Sequence, residues 1–89
     1  MGDLVVVTLR ENPTTGHLWL LASGAPDVFA GQGDQFAPGA TTALGAGGAR
    51  TFTFRAYAVG RAKLELHLRR SWWDTTAPVA RFALAVVVS

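Results

Sequence analysis

Every second residue from Arg50 to Ala58 falls on an apolar face, with Phe52, Phe54, Ala56 and Ala58 on one side and Thr51, Thr53, Arg55 and Tyr57 on the other. That is the period of a half-buried β-strand. Val59-Gly60 is a turn signal, and Arg61 to Arg69 alternates again, with Ala62, Leu64, Leu66 and Leu68 inward and Lys63, Glu65, His67 and Arg69 outward. The two segments read as an antiparallel hairpin with one face in the core. Val79 to Val88 repeats the pattern with Phe82, Leu84, Val86 and Val88 inward, and its small or apolar outer face implies cover by a neighbour. Leu4 to Arg10, β-branched at Val5, Val6 and Val7, predicts another strand. His17 to Ala22 predicts one more, centred on Trp19, whose apolar neighbours Leu18, Leu20 and Leu21 make it a core residue and not a ligand. Between Ser23 and Ala43 the alternation is broken by Gly, Pro, Asp and Gln, so a loop is expected there with a short edge strand near Asp34 to Ala37.

No segment sustains a helical period. The pattern therefore predicts an all-β fold, an immunoglobulin-like β-sandwich of six or seven short antiparallel strands. Strand parity assigns Trp19, Phe52, Phe54, Leu64, Leu66 and Phe82 to its core. At 89 residues, 49% of them hydrophobic and 16% charged, the chain is expected to form a single globular domain over 1–89.

Charge and cysteine usage narrow the function classes. The eight cations against six acids leave a net charge of only +2, and they are scattered among strand positions. A nucleic-acid face needs clustered cations, so that partner is not expected. The absence of cysteine removes a disulfide framework, a thiolate nucleophile and a Cys-ligated zinc site. His17 and His67 have no spacing that makes a metal pair, so no metal or other cofactor is expected. Met1-Gly2-Asp3 leads directly into a strand, with no signal peptide visible, and Val6 stands where a myristoylation motif wants Ser or Thr. The apolar run from Phe82 to Val88 is too short for a membrane-spanning helix, so no membrane partner is expected either.

If successive strands run up and down, the first, third and fifth connections share one end of the sandwich. The first is Asn12-Pro13-Thr14-Thr15-Gly16, where Asn12 suits an Asx turn, Pro13 fixes φ and Gly16 permits a left-handed exit. A turn needs no more than that; the Thr pair adds two hydroxyls at the apex, suited to hydrogen bonding with a partner. The third, Leu44-Gly45-Ala46-Gly47-Gly48, is not a phosphate loop, since no helix follows it and no Lys-Ser/Thr pair closes it. Its glycines read as a plain turn, or as backbone that another molecule can approach closely. The fifth is Arg70-Ser71-Trp72-Trp73-Asp74. Arg70 would fall on the buried side if the strand continued, so the strand is expected to end before it. An exposed Trp beside an Arg has the composition of an interface hot spot. A His67, Ser71, Asp74 triad is the enzymatic alternative, and it lacks an evident oxyanion hole.

In this order the three loops resemble those of the chagasin family of cysteine peptidase inhibitors. The likeness spans nearly the whole chain: Asn12 to Gly16 then Trp19, Leu44 to Gly48 then the strand of Phe52 and Phe54, and Arg70-Ser71-Trp72 before a closing strand. The resemblance implies a non-enzymatic protein whose three loops wedge into the cleft of a papain-like cysteine peptidase. By that analogy Thr14 and Thr15 approach the catalytic Cys-His pair, Leu44 to Gly48 lies along the non-primed subsites, and Arg70 and Trp72 grip the primed side. The sequence departs from the family pattern twice. Ser71 stands where the family usually has Pro, and little precedes Leu4 where the family usually has another strand. A monomer is expected; the second departure reads as a trimmed chain, as a mis-assigned start, or as an edge strand left open to association. The alternative reading is a carbohydrate- or peptide-binding sandwich that stacks ligands on Trp72 and Trp73.

Overall fold

The computed structural model describes residues 2–12, 15–38, 47–71 and 76–89. Six strands form in chain order: β1 (Leu4–Glu11), β2 (Leu18–Ser23), β3 (Phe29–Pro38), β4 (Gly48–Ala56), β5 (Gly60–Arg69) and β6 (Ala80–Val88). They make two antiparallel sheets of three strands, ordered β1-β4-β3 and β2-β5-β6. The all-β sandwich predicted from the alternation is the observed fold.

The core lies between the sheets. Val7, Phe29, Phe52, Phe54 and Ala56 from the first sheet meet Trp19, Leu64 and Leu66 from the second, and Leu64 and Leu66 have no exposed surface. Phe82, Leu84, Val86 and Val88 are half-buried against this cluster, as their parity requires. Phe29 and Phe54 pack as a tilted aromatic pair with ring centroids 6.2 Å apart.

Three details of the sequence reading are corrected. β4 and β5 are not a hairpin: β4 pairs with β1 and β3, whereas β5 pairs with β2 and β6. Alternation fixes which face of a strand is buried, and two strands facing each other across a core have the same pattern as two side by side in a sheet. The second correction concerns β3, which runs ten residues from Phe29 to Pro38. Its ladder shifts register between Gly31 and Asp34, and six consecutive residues after Phe29 are exposed, so the sequence there has no period to detect. The third is the outer face of β6. Arg81, Ala83, Ala85 and Val87 are exposed, and β6 forms an edge of its sheet with no further strand beside it among the described residues.

Candidate functional site

The registers decide which connections share an end. Glu11, Gly48 and Pro38 stand level across one sheet, and Leu18 stands opposite Arg69 in the other, with Leu68 opposite Ala80. The two levels meet where the Trp19 backbone N–H donates to Glu11 Oε1 over 2.7 Å. Connections 12–17, 39–47 and 70–79 therefore leave one end of the sandwich. At the opposite end the Tyr57 N–H donates to the Val28 carbonyl over 2.9 Å, joining the two remaining connections.

Of the predicted site residues, Asn12, Thr15, Gly16, Gly47, Gly48 and Arg70 are described and all lie at this end. Pro13, Thr14, Leu44, Gly45, Ala46 and Trp72 lie outside the described residues, as do Trp73 and Asp74. In the first connection the Asn12 carbonyl accepts from the Thr15 N–H at 3.2 Å and from the Thr15 hydroxyl at 2.9 Å. The Thr15 hydroxyl in turn accepts from the His17 N–H at 3.3 Å. That hydroxyl closes its own loop, and one lone pair is left for a partner. His17 Nδ1 lies 3.1 Å from the Thr15 carbonyl, which can only accept, so Nδ1 carries the proton. Gly16 adopts φ +78° and provides the left-handed exit expected of it.

Connection 39–47 returns through Gly47 into Gly48 of β4. A Cβ on Gly48 would collide with the Ala37 carbonyl and come within 2.7 Å of Phe36 Cζ, so the close approach that this glycine permits is to β3 of its own sheet. Gly47 has more room, with the Glu11 carbonyl 3.3 Å from the corresponding Cβ position. At connection 70–79 β5 ends at Arg69, and Arg70 follows exposed in a bend. Arg69 Nη1 donates to the Thr76 carbonyl at 2.5 Å, tying the two sides of that connection together. His17, Leu68, Arg70 and Val79 help line a cavity of about 300 Å³ beside it. Of the alternative triad, Asp74 lies outside the described residues; His67 Nε2 faces Glu65 Oε2 at 3.2 Å and its Nδ1 faces Arg69 Nη2 at 3.4 Å.

Beneath the three connections lies a polar cluster that the sequence reading did not single out. Glu11 is buried to 3% exposure, the one buried charged side chain among the described residues. Besides Trp19 it binds Arg50, whose Nε lies 2.8 Å from Oε1 and 3.0 Å from Oε2. Arg50 Nη1 reaches Asp34 Oδ2 at 2.6 Å, and its guanidinium carbon sits 5.6 Å from the Phe36 ring centroid. A buried carboxylate is tolerable only when paired and hydrogen-bonded, and this one is both. Hydrogen bonding to Glu11 first, and to Asp34 as well, holds the Arg50 guanidinium above its ordinary value against the opposing effect of burial. A raised cation contributes its stability fully at every pH below the unfolded value. Parity carried the signal: Val5, Val7 and Leu9 lead by steps of two to Glu11, and Phe54 and Phe52 lead back to Arg50.

The family model described as Chagasin family peptidase inhibitor I42 matches residues 1–86. Chagasin of Trypanosoma cruzi is 30% identical over 89 residues, covering 94% of this chain and 80% of that protein. Among solved structures, the cysteine protease inhibitor EhICP2 of Entamoeba histolytica superposes with a TM-score of 0.85 at 24% identity, over 99% of this chain and 80% of that one. Amebosin superposes with a TM-score of 0.73 at 28% identity, over 99% of this chain and 82% of that one. A chain that matches the family model over nearly its whole length, and folds as these inhibitors do, belongs to the chagasin family of peptidase inhibitors and is not an enzyme.

Proposed function

We propose that this chain inhibits papain-like cysteine peptidases reversibly and competitively, by wedging connections 12–17, 39–47 and 70–79 into the active-site cleft. The observation that carries the reading is the common end from which these connections leave, since each holds one motif of the family. Loops on a rigid sandwich are where binding residues concentrate. In this reading Asn12 to Gly16 faces the catalytic Cys-His pair, Leu44 to Gly48 follows the non-primed side, and Arg70 and Trp72 hold the primed side. Exclusion of substrate is enough for inhibition, because a wedge that presents no peptide in attack geometry is not turned over.

Titration of papain with the purified chain tests the proposal. Competitive loss of activity is expected, and papain that stays fully active at high micromolar inhibitor would overturn it. Trp72→Ala tests the primed-side assignment. Truncating a central interface Trp costs about 2 to 4 kcal/mol, so inhibition should weaken roughly 30- to 1000-fold with little change in melting temperature. Inhibition at full strength would remove Trp72 from the contact.

A further inference from the structure

We propose that Glu11 and Arg50 are positioning residues that hold connection 12–17 in register with connection 39–47. The consequence for inhibition rests on the peptidase-inhibitor reading, whereas the coupling of the two connections is a property of the free chain.

Each of the four strands that bound the two connections touches this pair. Glu11 ends β1 and is followed directly by Asn12, so its backbone is the entry to the first connection. Its carboxylate receives the N–H of Trp19, the second residue of β2, on the exit side. Arg50 stands two residues after Gly48, on the exit side of connection 39–47. Its partners Asp34 and Phe36 belong to β3, which leads into that connection. One carboxylate and one guanidinium thus join four strands, and through Trp19 they join the two sheets. The Trp19 indole adds a second tie across the first connection, donating from Nε1 to the Arg10 carbonyl at 2.9 Å.

Apolar packing is non-directional and would hold two sheets together at several relative offsets. Charged hydrogen bonds are short and directional, and a half-satisfied buried carboxylate is costly, so this cluster admits one offset. An apolar side chain of similar size at position 11 would fill the same space without fixing that offset. A rigid wedge needs it fixed, because a binding constellation loses affinity when its parts are held loosely.

The sequence contains no cysteine, so spin labels can be placed at His17→Cys, in connection 12–17, and at Ala37→Cys, near the end of β3 that leads into connection 39–47, without removing native thiols. The distance distribution between them, measured by pulsed electron resonance on the free chain, should be narrow. Glu11→Asp keeps the charge but shortens the reach, and Arg50→Lys keeps the charge but loses the planar fork. Each should broaden the distribution. Each, without labels, should also raise the inhibition constant for papain on the order of tenfold. The Arg50 variant carries the test if the Glu11 variant does not fold. A distribution as narrow as the parent's in a folded variant overturns the proposal, whatever happens to inhibition. If instead the parent leaves papain active, the peptidase reading fails, and the distance distributions still decide whether the pair couples the two connections.

Discussion

Gly48 shows how a position expected to meet a partner can be occupied with its own fold. The sequence reading gave the Leu44 to Gly48 glycines two uses, a plain turn or close approach by a partner. At Gly48 the space is already filled by the Ala37 carbonyl, Phe36 and Pro38. Adding one methyl group there requires β3 to move away from β4, and overpacking of this kind costs about 1 to 3 kcal/mol. Gly48→Ala is therefore expected to lower stability by that amount in a urea titration, while Gly47→Ala, with its nearest contact at 3.3 Å, lowers it less. Equal stability of the two variants would contradict the packing described here. Thr15 teaches the same lesson from the polar side. Its hydroxyl binds Asn12 and His17, so a residue that composition alone would assign to the partner is engaged within its own chain.

Among the elements, β4 and β5 carry the centre of the core from opposite sheets. Phe52, Phe54 and Ala56 face Leu64 and Leu66 across the interior, all of them buried. Phe54 is 3% exposed and packs on Phe29, so its ring has no route to solvent if the surroundings relax. Truncating such a residue costs about 3 to 5 kcal/mol, which is most of the stability of a small domain. Phe54→Ala should accordingly be largely unfolded or melt far below the parent by circular dichroism. An unchanged melting curve would mean that the parity of β4 is wrong. β3 presents the opposite case, because its pairing with β4 is held by backbone ladders around a register shift and its side chains are mostly exposed.

At the scale of the whole molecule, the sandwich measures 44 × 31 × 16 Å and offers its candidate contacts at one end. The chain holds no thiol that could exchange with a catalytic cysteine. In the first connection the Asn12 carbonyl is bound from Thr15. The inhibitor should therefore leave the complex with its mass unchanged. After incubation with excess papain, mass spectrometry should recover the intact chain, and activity should return on dilution. Rapid cleavage between Asn12 and Gly16, or a covalent adduct, would oppose the wedge mechanism.

Alternation by itself determined the fold class, the inward face of β4, β5 and β6, and most of the core, because burial on one face of a strand leaves a period of two in the sequence. The three loop motifs were legible as well, since Gly, Pro and adjacent Trp residues are rare where strands continue. Tertiary structure alone decided which strands pair, because β4 beside β5 and β4 facing β5 across a core give the same pattern. It also decided the length of β3, whose exposed residues carry no period. The Glu11–Arg50 pair lay between these limits. Parity put both residues on inward faces, but only the register that sets Leu9 opposite Arg50 and Glu11 opposite Gly48 brings their charges within hydrogen-bonding distance. Sequence distance cannot predict that meeting, since the two residues lie 39 positions apart and are joined by the folding of the intervening strands.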